Sequence, residues 1–177
     1  MRKLVRRVAG RRRLVADGVP DSAALHPGYE MTTIRSATPD DLPQVRRLLA
    51  ANGLPTQDLD TTPIEFLVAD DGGTVVGAVG LERFGDAALL RSLVVDAAGR
   101  GTGLGGALVT AIEARAVEAG ATDLALLTTT AAPLFARRGW QTVPRDALPT
   151  GVHASGEFRS LCPASATAMT KPLKVTA

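Results

Sequence analysis

The spacing of hydrophobic and polar positions changes period several times along the chain. TTIRSA at 32–37 predicts a short strand, and TPDDLPQVRRLLAANG at 38–53 predicts a helix. That helix carries Leu42, Val45, Leu48 and Leu49 on one stripe. Asp40 and Asp41 favour its N-terminus, Pro43 fits only a first turn, and Asn52-Gly53 supplies a left-handed stop. Three strand patterns follow quickly: EFLVA, TVVGAVGLER and ALLRSLVV, separated by DDGG and FGDA. Tight turns of that composition predict an antiparallel meander. LGGALVTAIEARAVEAG at 104–120 predicts a helix of about four turns. After it come a buried strand, TDLALLTTT, a short helix, APLFARRG, and a strand, WQTV. SATAMTKPL closes the series as an edge strand. The order of elements implies an α/β (α+β) domain with a mixed, mostly antiparallel sheet flanked by helices.

Composition narrows the class. With 177 residues, 45% hydrophobic and only 3% aromatic, the chain has the length of one domain and an aliphatic core of Ala, Val and Leu. No apolar run of about 18 residues spans a membrane, and no secretory signal opens the chain. The basicity is local. Residues 1–30 carry a charge of +4, which leaves 31–177 at −2 of the overall +2. This leader is expected to be disordered or loosely attached. It reads as an annotation extension before a start at Met31, with an organelle transit peptide as the other option. A nucleic-acid partner fits poorly, since few aromatics are available for stacking. Cys162 stands alone and suits a reducing, cytoplasmic setting. His26 and His153 lack ligand-like neighbours, so no metal is expected.

The chemistry concentrates in VVDAAGRGTGLGGALV at 94–109. Gly101, Gly103 and Gly106 match the G-x-G-x-x-G of a dinucleotide fold. There, however, the first glycine directly ends a strand, and an acid about 20 residues on holds the ribose. Here five residues separate Val95 from Gly101, and the next strand ends in Thr128-Thr129-Thr130. No Gly-Lys-Ser/Thr follows, which removes a P-loop. Arg100, Gly103 and Gly105 also spell R-x-x-G-x-G. Glycines let backbone N–H groups approach a diphosphate, and the first turn of the following helix offers unpaired amides with a positive dipole end. Arg100 adds a charge-assisted contact. The plainer alternative is a turn that only permits tight helix–strand packing.

Those residues, with RSLVVDAAGRGTGLGGALV, TDLALLTTTAAPLFARRGW and the order of elements, make residues 32–173 resemble the GNAT superfamily of N-acetyltransferases. The resemblance implies splayed central parallel strands and acetyl-CoA as co-substrate. It places the pyrophosphate on Arg100, Gly101, Thr102, Gly103, Leu104 and Gly105, and the pantetheine arm on the main chain of Leu93 and Val95. It puts Thr128 where an asparagine often meets the cofactor; ordinary strand filling is the alternative. It puts Phe135 in the place of a tyrosine acid, and the chain's single tyrosine, Tyr29, lies in the leader. GLERFG, LLRSLVV, LLTTTAAPLFARRGW and EFRSLCPASA are similar to the arsenic-resistance branch. Its members acetylate amino-acid-like arsenical or phosphinic amines.

The implied reaction is direct acetyl transfer to the amine of a small molecule. Glu82 is the candidate base, with an exposed strand-end carboxylate as the alternative. Arg91 lies two and four residues before Leu93 and Val95, so regular pleating predicts one shared face. It is expected to bind an acidic group of the substrate, or else to pair with a carboxylate such as Glu82. Cys162 reads as a buried small residue, and Ser160 and Ser165 are candidates to line the acceptor pocket. Acetylation of a protein or peptide amine, or coenzyme binding without catalysis, remain open. A homodimer is one expected assembly.

Overall fold

The computed structural model describes residues 32–174; the leader, Tyr29, His26 and Met31 lie outside them. The strands are β1 (Thr32–Ser36), β2 (Ile64–Asp71), β3 (Thr74–Phe84), β4 (Ala87–Val95), β5 (Asp123–Thr128), β6 (Gln141–Val143) and β7 (Thr167–Pro172). The helices are α1 (Leu42–Ala51), α2 (Leu104–Glu118) and α3 (Ala132–Ala136). The seven strands form one sheet in the order β1-β2-β3-β4-β5-β7-β6. Only β4 and β5 pair in parallel. The sequence ending in KPL is therefore no edge strand: β7 is inserted between β5 and β6, and β6 takes the edge. Local pattern marks a strand, but only the sheet decides its neighbours. No helix among the described residues is long and apolar enough to cross a membrane.

Each face of the sheet has its own cover. Leu104, Leu108, Val109, Ile112 and Ala116 of α2 pack on Val79, Leu81, Leu90, Leu124 and Leu126. A Cβ on Gly77 would come within 3.0 Å of Leu108 Cδ1, so glycine lets the helix approach β3 closely. On the other face, Val45 and Leu49 of α1 pack against Phe66, Val68, Ala78 and Val94. The α1 stripe is narrower than its spacing suggests, because Leu42 is left 40% exposed. The remaining part of that face is covered by irregular chain from 145 to 161, with Leu148 and Val152 packed on Leu89 and Ala125. Two 3₁₀ turns and a π-helical turn at Glu157–Leu161 occur here, none of which the sequence pattern announces.

The entry to α1 is held by charge. Asp41 is buried, accepts from the Thr38 amide at 2.7 Å, and takes a two-pronged contact from Arg35 at 2.7 and 3.0 Å. The Arg35 contact holds the Asp41 carboxyl well below the usual carboxylate range. Because the folded value is depressed, its stabilising contribution is complete above the unfolded value of about 3.9 and fades as pH falls. Asp41→Ala should therefore cost about 1–3 kcal/mol at neutral pH. Denaturant titrations should show the gap to wild type closing in acid; a gap that does not change with pH would contradict this.

Candidate active site

The strand before the glycine turn carries two irregularities. Pairing of β3 with β4 goes from Ala78↔Val94 to Gly80↔Arg91, so Ser92 and Leu93 both oppose Val79. Ser92 takes φ of 56°, the one positive φ at a non-glycine residue among those described. This is a β-bulge, which inserts one residue and reverses the alternation beyond it. The shared face expected for Arg91, Leu93 and Val95 is thereby corrected. Leu93 and Val95 turn toward α2, while Arg91 and Val94 lie on the opposite side. Sequence spacing cannot show an extra residue, because a bulge is visible only against its partner strand.

The second irregularity is the split between strands. β4 and β5 pair only through Ala87↔Asp123, Ala88↔Leu124 and Leu89↔Ala125. Beyond Leu89 they diverge, so the main chain of Leu93 and Val95 has no strand partner on the β5 side. Backbone groups in that position are available to an extended ligand that carries amides of its own.

At the mouth of this split, Gly101 and Gly103 adopt φ of 76° and 89°, and Gly103 is the left-handed N-cap of α2. No side chain caps this helix, and its first turn contains no acid. The first-turn amides and the positive dipole end therefore face outward unmatched. Nothing lies within 4 Å of a Cβ built on Gly101. One built on Gly105 would meet only Val95, at an ordinary 3.7 Å. The protein's own packing does not demand glycine at 105, so the space left open suits a group from outside the chain. The loop is braced by Asp96, which accepts the Gly99 amide at 2.7 Å, and by the Thr102 hydroxyl, which donates to Gly99 O at 2.6 Å. Arg100 donates to Asn52 Oδ1 at the end of α1. These residues fit the diphosphate of a coenzyme.

Two further positions take structural roles. Thr128 Oγ1 accepts the amides of Thr130 and Ala131 at 3.3 and 2.9 Å, shaping the turn into α3. Phe135 is buried in the α2-side core, edge-on to Trp140 with ring centres 5.4 Å apart.

Across the sheet from α2, Arg91 gathers three carboxylates. Its guanidinium reaches Asp58 at 2.7 and 2.9 Å, Glu82 at 3.0 Å and Glu157 at 3.2 Å. Arg91, Glu82 and Glu157 are buried. Glu82 is thus no exposed strand-end group, and Arg91 has the carboxylate partner that was the alternative to a substrate anion. Burial pushes the Glu82 carboxyl up, and the Arg91 contact only partly opposes it. Burial pulls Arg91 down, but Asp58, Glu157 and Glu82 more than offset this, and its pKa is raised. Asp58 and Glu157 were not found from sequence. One lies in the turn-rich stretch after α1 and the other in the π-helical turn, and neither segment has a period that marks its side chains. Cys162 Sγ donates to Glu157 Oε2 at 2.7 Å, and burial with that bond pushes the thiol up to about 12. It is half-buried, and the raised value disfavours the thiolate at neutral pH. Ser160 and Ser165 are exposed. A separate cavity of ≈ 380 Å³, lined by Ser36, Leu42, Ile64, Phe66, Ile112 and Arg115, contains none of these site residues.

A mostly antiparallel sheet whose one parallel pair splays apart, with an uncapped glycine turn at its mouth, is the GNAT fold. Residues 62–142 match the family described as acetyltransferase (GNAT) domain. Its fold is similar to that of N-acetylglutamate synthase from Neisseria gonorrhoeae complexed with coenzyme A and N-acetyl-glutamate. The TM-score is 0.69 and the identity 24%, covering 81% of this chain and 35% of that one. The chain thus spans about a third of that synthase. The Mycobacterium tuberculosis protein Rv2747, in complex with CoA, is 25% identical with TM-score 0.67, over 80% of this chain and 99% of its own. The ribosomal-protein-S18-alanine N-acetyltransferase from Escherichia coli has TM-score 0.64 at 18% identity, over 83% and 97%. No curated protein matches the chain.

Proposed function

We propose that the protein is an N-acetyltransferase that moves acetyl directly from acetyl-CoA to the amine of a small amino-acid-like compound. The carrying observation is the split at Leu89, with bare strand edge and uncapped helix on one side and a buried charge cluster on the other. In this reading Arg100, Gly101, Thr102, Gly103, Leu104 and Gly105 hold the pyrophosphate, and the main chain of Leu93 and Val95 holds the pantetheine arm. Thr128 and Phe135 flank it. Glu82 faces Leu89 across the β3–β4 pair, at the vertex of the split, and takes the proton from the acceptor amine. The amine attacks the thioester carbonyl, the C–S bond breaks, and the thiolate of CoA departs. With no tyrosine among the described residues, a water supplies its proton or it leaves as the anion.

The cluster suits a zwitterion. Arg91 takes an acceptor carboxylate or oxyanion, and Asp58, the most exposed of its three partners, yields the contact. The remaining carboxylates favour the ammonium. Arsenical and phosphinic amino acids of the arsinothricin and phosphinothricin type carry this charge pattern. Thiol release with a panel of such amines, beside ordinary amino acids and peptides, tests the reading. Saturable, acceptor-dependent release with an anionic amino acid is expected. Release with peptides alone would shift the acceptor to protein amines, and coenzyme binding without turnover would leave a binding module. Gly103→Val should abolish coenzyme binding, because a β-branched residue resists a φ of 89° and its side chain would lie at the amides; thermal shifts with acetyl-CoA measure this.

A further inference from the structure

We propose that Arg138 is a second phosphate-binding guanidinium of the coenzyme site, an inference that rests on acetyl-CoA docking at α2. The residue closes the short α3 segment in LFARRGW, far from Arg100 in sequence, and reaches back over α2. Its NH1 lies where a Cβ on Gly106 would come within 3.1 Å, and its NH2 donates to Thr110 Oγ1 one turn further on. Nε is buried and meets no acceptor among the described residues.

The helix end, rather than the want of a carboxylate, sets this placement apart. Arg35, Arg46, Arg83, Arg91 and Arg115 each meet a carboxylate, while Arg145 bonds only main-chain carbonyls. Arg100 and Arg138, beside the first turns of α2, bond only neutral side-chain oxygens among the described residues, those of Asn52 and Thr110. A cation set at the positive end of a helix with no acid in its first turn is repelled by the dipole unless an anion joins them. The main chain holds it there regardless. The Arg138 amide donates to Phe135 O at 2.9 Å, and its carbonyl accepts from Lys171 Nζ at 3.0 Å, which in turn pairs with Glu113. Gly106 has no left-handed φ to explain it, and its missing side chain leaves the room Arg138 occupies. A half-exposed guanidinium held by its main chain at a helix start already open to anions suits a phosphate oxygen. The nucleotide tail offers two: the pyrophosphate and the ribose 3′-phosphate.

Calorimetric titration of acetyl-CoA and of its 3′-dephospho analogue, with wild type, Arg138→Gln, Arg138→Lys and Thr110→Val, tests the assignment. Arg138→Gln should weaken acetyl-CoA binding about tenfold or more, with Arg138→Lys between it and wild type. The loss disappears with the dephospho analogue if the 3′-phosphate is the partner, and persists if it is the pyrophosphate. Thr110→Val removes the same protein contact, yet should leave affinity within about twofold. Wild-type affinity in Arg138→Gln, or an equal loss in Thr110→Val, overturns the proposal. If wild type binds neither coenzyme, the acetyltransferase reading fails separately. Inorganic pyrophosphate then decides: binding to wild type and not to Arg138→Gln retains the phosphate role, and no binding to wild type ends it.

Discussion

Arg91→Met should cost about 3–5 kcal/mol of folding stability, the range for removing one partner of a buried ionic group. For a chain of this size that is a fall in melting temperature of about 6–20 °C. The effect is large because one buried guanidinium serves three carboxylates at once. Methionine fills similar space and leaves Glu82 and Glu157 charged, close together and shielded from water. Protonation of Glu82, which burial already pushes up, relieves part of the penalty. Without Arg91 to oppose that rise, the penalty grows as pH climbs through the Glu82 value and shrinks in mild acid. Arg91→Lys restores one charge but not the two-pronged contact with Asp58, and should recover part of the loss. Denaturant curves at pH 7 and pH 5 measure both effects. A methionine variant as stable as wild type at pH 7 would mean that the carboxylates do not depend on Arg91.

Glu82→Gln should lower turnover by about 10²-fold or more, the scale of general base catalysis, with acetyl-CoA affinity preserved. Glutamine keeps the volume and an oxygen for Arg91 but cannot accept the amine's proton. The glycine turn lies across the sheet from Glu82, which is why coenzyme binding is spared. Burial has already moved this carboxyl upward, so the ascending limb of kcat/KM should stand above the ordinary glutamate value of about 4.3. That limb should vanish in Glu82→Gln. Unaltered turnover across pH would remove Glu82 from the mechanism and leave Asp58, Glu157 or water as the base.

How much of this was legible beforehand differs from one element to the next. The glycine turn and its uncapped helix start were readable because they reside in local backbone: glycines, an arginine, and a helix start at fixed spacing, the features on which the proposed phosphate site rests. All seven strands and the three helices followed from periodicity, since burial on one face imprints a period of 2 or 3.6 on the chain. Glu82 and Arg91 stood out as charges inside apolar strands. Their partners did not. Asp58 sits in a turn, Glu157 in a π-helical turn, and Arg138 beside a glycine 32 positions earlier; each has an ordinary sequence context and an unusual spatial one.

The sequence alone determined which segments become strand or helix, where a glycine turn opens the long helix, and that charge lies inside the core. Three matters were decided only by the folded chain. β7 entered between β5 and β6, the bulge at Ser92 sent Arg91 and Leu93 to opposite faces, and Arg91 was shared among three carboxylates. The reason is physical. Backbone preference and amphipathic period act over a few neighbouring residues, whereas strand order, register and charge pairing depend on contacts between segments far apart along the chain.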